Sequence, residues 1–133
     1  MMTQSTLSVV MPNFNHGHYL KEALESVLAQ SFKPLEVIVV DDASTDDSLV
    51  VAGELAALHS IIRVVKQERN MGVVTTTNRG IQHASGDYVY GMAADDRLLP
   101  GLFEKSMDLL ARNPQAGLCS AMTLGMDKSG QQL

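Results

Sequence analysis

The run Val37-Ile38-Val39-Val40 restricts the fold more than any other feature of the chain. A strand with one wet face alternates apolar and polar side chains, so an uninterrupted β-branched run is covered on both faces. Such strands belong to parallel sheets held between helix layers. Leu7 to Met11, stopped by Pro12, has the same character, and Ile61 to Val65 and Asp87 to Met92 add a third and a fourth strand.

Between the strands the apolar period changes from two to 3.6. Leu20, Ala23, Leu24, Val27 and Leu28 form one helical stripe, with Lys21, Glu22 and Glu25 left for solvent. Leu49, Ala52, Leu55 and Ala56 form a second, which Ser44 and Asp47 are expected to open as a capping box. Residues Val73 to Ala84 read as a third helix. Phe103, Met107 and Leu110 mark a fourth, with Pro100 expected as its first residue and Asn113-Pro114 at its end. Ala116 to Leu124 is expected to add a fifth strand, and the polar tail from Asp127 to Leu133 to fray. The order predicts an α/β chain, a three-layer α/β/α open and mainly parallel sheet, forming one domain over residues 1–133.

Composition narrows the function classes. A net charge of −5 and a pI near 5.2 argue against general affinity for nucleic acid. No apolar run reaches the roughly 20 residues of a membrane span, and the opening Met1-Met2-Thr3-Gln4-Ser5 lacks the basic and apolar regions of a leader. The single cysteine, Cys119, has no internal disulfide partner and suits a reducing compartment, so the expected location is cytoplasmic.

In a parallel sheet ligands bind beyond the carboxyl ends of the strands. Pro12, Asn13 and Asn15 follow the first strand, Asp41 and Asp42 the second, and Asp95 and Asp96 the fourth. Two acidic pairs on one edge repel, and a hard divalent cation, Mg²⁺ or Mn²⁺, relieves that repulsion while leaving room for phosphate oxygens. No glycine-rich loop with a lysine is present to cradle phosphates instead. Each pair alone also reads as a turn or helix cap, and Arg97 could neutralise the second; both pairs at one edge favour a site. His16 and His18 lack a third metal ligand, and Lys66 and Arg69 read as solvated loop cations.

Several blocks, in order, resemble glycosyltransferase family 2. Ser8 to Asn15 is similar to its S-V-[IV]-x-P-x-[YF]-N opening, and Tyr19 to Phe32 to its YLxxALxSVLxQ helix. Glu36 to Asp46 resembles E-I-I-V-V-D-D-G-S-T-D, with Ala43 where glycine is usual. Asn70-Met71-Gly72, Asn78 to Ile81 and Ala84 to Val89 resemble the stretch N-x-G, RNxGI and AxGEYI.

The resemblance implies a GT-A fold and a nucleotide-diphospho-sugar donor, most commonly a UDP-sugar. By analogy Asp42 bonds the base, with Asp41 and Pro12 in the same pocket, and Asn13, Asn15, Asn70, Gly72, Asn78 and Asp95 complete the nucleotide-binding set. Asp96, with Asp95, stands for the metal-binding motif. Here that motif reads Ala93-Ala94-Asp95-Asp96 and lacks its first carboxylate, and Thr77 stands where arginine is common, leaving Arg79 as the candidate replacement. The family's catalytic base lies well beyond the metal motif, and Asp127 has no matching context. The expectation is a donor-binding portion whose base and acceptor-binding part lie outside the chain. The acceptor class is a glycan, a lipid or another acceptor, as in cell-envelope polysaccharide biosynthesis, compatible with peripheral association at the inner membrane face. A non-catalytic nucleotide-binding or regulatory domain is the alternative reading. A receiver-type signalling module is a poorer one, because no strand-end lysine follows Asp96.

Overall fold

The computed structural model describes residues 4–133; the first three residues of the opening read above against a leader lie outside this range. Four strands alternate with four helices: β1 (Leu7–Asn13), α1 (Gly17–Leu28), β2 (Glu36–Asp41), α2 (Ser48–Leu58), β3 (Ile62–Lys66), α3 (Val73–His83), β4 (Tyr88–Gly91) and α4 (Leu102–Arg112). The sheet order is β3-β2-β1-β4, and every pairing is parallel. Asn13 stands opposite Asp41, and Val10 opposite Gly91. The expected open, parallel α/β/α sandwich is what forms.

Both faces of the central strands are buried, as the unbroken apolar runs require. Val9, Met11, Val37 and Val39 face the larger core, with Leu20, Leu24 and Val27 of α1, Ala52 and Leu55 of α2, and Phe103 and Met107 of α4. Val10, Ile38 and Val40 face the other way, where α3 packs. Gly80 lets α3 lie this close: a Cβ there would run into Val10 and come within 3.2 Å of Val40. Because alternate residues of a parallel strand bond to opposite neighbours, Pro12 faces the β4 side. Val10 O takes the last bond there, from Met92 N, so the missing Pro12 N–H falls where β4 has already left.

Three local expectations are corrected. α2 starts at Ser48 with Asp47 at its cap position and no side-chain cap bond. Ser44 is no cap; its hydroxyl accepts from Asn15 N and from Asn13 Nδ2, which ties it to the β1 loop. α4 starts at Leu102, after Gly101 in the left-handed region (φ 84°), so Pro100 precedes the helix without opening it. Residues 116–124 form no strand; outside the sheet, an isolated bridge joins Met126 and Gln132. No helix among the described residues is long and apolar enough to cross a membrane.

Candidate functional site at the carboxyl edge of the sheet

The ends of β1 and β2 meet through side chains. Asn13, 2% exposed, donates from Nδ2 to Asp41 Oδ1 at 3.0 Å and to Ser44 Oγ at 3.2 Å. Asp41 Oδ2 accepts from Ser44 N. Asn13 Oδ1 is buried and has no hydrogen-bond partner among the described residues, an uncommon state for a buried amide oxygen. Asn15, at φ 55°, turns its carboxamide back onto the β2–α2 loop, where Oδ1 accepts from Thr45 N and Asp46 N.

Asp42 works differently from its neighbour. Its Oδ1 accepts from Gln67 Nε2 and Met71 N, both at 2.7 Å, and its Oδ2 from Gly72 N at 2.9 Å. The carboxylate thus holds the β3–α3 loop, including the candidate Gly72, whose φ of 83° suits glycine. Asn70, exposed, caps the same turn through a bond from Gly72 N to its Oδ1. Gln67 is buried and completes the network: its Nε2 also donates to Thr76 Oγ1, and its Oε1 accepts from Arg79. Sequence reasoning passed over Gln67, although a glutamine ending an apolar strand is the kind of residue that needs buried partners.

Asn78 shares a groove with Gln67 and Met71 of this network. With Lys66, Arg69 and Arg79 it lines this groove of about 790 Å³ between the end of β3 and α3. Arg79, bonded to Gln67 there, is committed to that side of α3.

Asp95 and Asp96 follow β4, which flanks β1 on the side opposite β2. With strands about 4.8 Å apart, β2 and β4 lie about 10 Å from each other across β1. Asp42 follows the carboxyl end of β2, and Asp96 lies in the segment that leaves the carboxyl end of β4. Both members of the second pair are exposed, and neither carboxylate has a hydrogen bond or ion pair among the described residues. Arg97 does not neutralise them; its Nη1 pairs with Glu22 Oε1 at 2.7 Å. Asp96 lies near Tyr90, whose phenol is pushed above its ordinary pKa by burial and then by the Asp96 charge.

No group of three His, Cys, Asp or Glu side chains that could hold a metal occurs among the described residues. Two free carboxylates fit a hard cation that draws its other ligands from phosphate and water, and they do not make an all-protein cage. Asp127 is not part of this edge. Its Oδ1 closes its own turn through Ser129 N, Ser129 Oγ and Gln131 N, and with Ser129 Oγ as the chief cause the carboxyl lies below its ordinary pKa.

The family model for glycosyl transferase family 2 matches residues 8–132, which include every strand end just described. The chain belongs to glycosyl transferase family 2. The uncharacterized glycosyltransferase YibD of Escherichia coli is 35% identical over 109 residues, covering 82% of this chain and 31% of that protein. The putative glycosyltransferase EpsE of Bacillus subtilis is 34% identical over 125 residues, 93% of this chain and 45% of its own length. The chain thus spans less than half the length of either relative. Among solved structures, Staphylococcus aureus TarS 1-349 in complex with UDP-GlcNAc matches with a TM-score of 0.75 and 28% identity, over 82% of this chain and 32% of that one. The mannosyltransferase PcManGT of Pyrobaculum calidifontis, in complex with GDP-Man and Mn²⁺, gives 0.76 and 25%, over 83% and 33%. The fold is of the GT-A type, as in these structural neighbours.

Proposed function

We propose that this chain is the donor-binding portion of a metal-dependent, inverting family-2 glycosyltransferase that takes a nucleotide-diphospho-sugar, a UDP-sugar first, at the carboxyl edge of its sheet. The observation that carries the reading is the pair Asp95 and Asp96, exposed and without a hydrogen bond or ion pair among the described residues, in the segment leaving the carboxyl end of β4 beside β1, whose own end makes the Asn13–Asp41 contact. Asn13 supports it with a buried oxygen that lacks a donor, and two structural neighbours are complexes with UDP-GlcNAc and with GDP-Man and Mn²⁺.

In this reading Pro12, Asn13, Asp41 and Asp42 form the base end of the pocket. Asp42 contributes chiefly by holding the Asn70–Gly72 loop, and its Oδ2, with one internal donor, keeps room for an N–H of the base. Asp95 faces the ribose and, with Asp96, the cation. Asp95 and Asp96 would hold a Mg²⁺ or Mn²⁺, which would supply charge neutralisation for the departing nucleoside diphosphate. The base that deprotonates the acceptor, and the surface that holds a glycan or lipid acceptor, come from sequence outside residues 1–133.

Titration with UDP and with GDP, each with Mn²⁺, tests the assignment. Asp96→Ala is expected to abolish the metal-dependent part of binding and Asp42→Ala to weaken nucleotide binding at least tenfold, on the order of the loss when a buried network is broken. Equal binding by the parent and both variants overturns the reading.

A further inference from the structure

Glu22 and Ser26 of α1 and Gln30 just past its end are spaced four residues apart, which sets them along one side of the helix. All three are bonded to the segment that follows the acidic pair. Arg97 Nη1 donates to Glu22 Oε1 at 2.7 Å, and Leu98 N donates to Ser26 Oγ at 3.0 Å. Gln30 Nε2 donates to Leu99 O at 3.0 Å, and Gln30 Oε1 accepts from Phe103 N at 3.2 Å. Gln30 is 1% exposed, a burial that a primary amide tolerates only with its donors and acceptor engaged. Upstream, Met92 N is held by Val10 O, and Ala94 and Leu98 are buried on either side of the two aspartates. The turn that carries Asp95 and Asp96 is therefore pinned at both ends.

Arg97 gives this arrangement its electrostatic point. A guanidinium next to two carboxylates ordinarily settles on one of them, and a cation would then have to displace it. Here the guanidinium is engaged elsewhere: Nη1 donates to Glu22 Oε1 and Nη2 to Gly130 O at 3.2 Å, and of the two acceptors only Glu22 carries a charge. The Glu22–Arg97 pair is partly exposed, with side chains 59% and 38% accessible, so it adds little to stability. Its effect is on where the positive charge sits.

We propose that the Glu22–Ser26–Gln30 row is a positioning device for the cation site: Ser26 and Gln30 fix the backbone of the acidic turn, and Glu22 draws Arg97 away from Asp95 and Asp96. This rests on the reading of Asp95 and Asp96 as cation ligands given above. None of the three α1-side residues touches the donor or the metal in this arrangement.

The test follows free Mn²⁺ by electron paramagnetic resonance in the presence of UDP, or of GDP if that is the nucleotide bound. The proteins compared are the parent chain, Glu22→Ala, Arg97→Ala, the double variant and Asp96→Ala. Glu22→Ala is expected to weaken Mn²⁺ binding about tenfold at low salt, the worth of one unit charge against a divalent cation at ~6 Å in bulk water. That loss shrinks at ~0.5 M salt. The double variant, lacking the released guanidinium, regains the parent affinity, and circular dichroism and the unfolding midpoint stay unchanged in all of them. Parent-like Mn²⁺ binding by Glu22→Ala, or a double variant as weak as Glu22→Ala, overturns the positioning role. Parent-like binding by Asp96→Ala instead overturns the cation site itself, so the two failures are distinguishable.

Discussion

Ala43 occupies the position after the Asp41–Asp42 pair where the family-like block usually has glycine, and its φ is 61°. An L side chain in the left-handed region crowds its own backbone by about 1–2 kcal/mol, part of which glycine returns as unfolded-state entropy. Ala43→Gly is therefore expected to stabilise the chain by about 0.5–1 kcal/mol, a rise of a few degrees in the thermal midpoint; an unchanged or lower midpoint would show that the turn is not strained. The residue scale also marks how far the candidate site was legible. The acidic pairs were visible as residues at or beyond the ends of β2 and β4. Their division of labour was not visible, because the donors that engage Asp42 come from Gln67, Met71 and Gly72, some 25 to 30 residues away. Nor does a sequence show that Arg97 turns toward Glu22, since its neighbours in the chain are the aspartates.

At the scale of elements, the opposite, amino edge of the sheet is tied together by one carboxylate. Glu36, at the start of β2, accepts from Ser8 Oγ of β1 and from Ser85 N and Oγ just before β4, and lies 3.6 Å from Arg63 of β3. Burial raises its pKa, but the Ser85 and Ser8 bonds and the Arg63 charge outweigh it, and the carboxyl ends below the ordinary value of 4.5. A depressed carboxyl pKa lends stability that is present above the unfolded value and is lost as pH falls through the folded one. The chain is thus expected to lose stability as pH drops below about 4.5, and Glu36→Gln should flatten that part of the curve in denaturant titrations across pH. An acid limb as steep in Glu36→Gln as in the parent would assign it to other groups. Strand and helix identities were readable because period-two and period-3.6 burial repeat over many residues. Helix starts were less so: Ser44 and Pro100 carry ordinary start signals, yet Ser44 is used by β1 and Gly101 sets the entry to α4. The expected strand at residues 116–124 has apolar residues but no strand to pair with among the described residues, and a strand exists only by pairing.

The whole molecule is lopsided about its sheet. Three helices cover one face and share a continuous apolar core, whereas α3 lies alone on the other, with Thr76 and Gly80 as its buried residues. That lone helix begins at Gly72, in the loop that Asp42 holds, so the thin side of the sandwich and the base end of the proposed pocket are mechanically one unit. Local opening free energy follows the apolar area a segment buries. Amide hydrogen–deuterium exchange should therefore be faster in α3 than in α1, and nucleotide should slow it across residues 67–80 while leaving α1 unaffected. Protection in α3 equal to that of α1 would contradict this. The solitary helix gives the protein a place to breathe without loosening its main interior, and a ligand seated beside it would be felt as quieted motion along the whole of that flank.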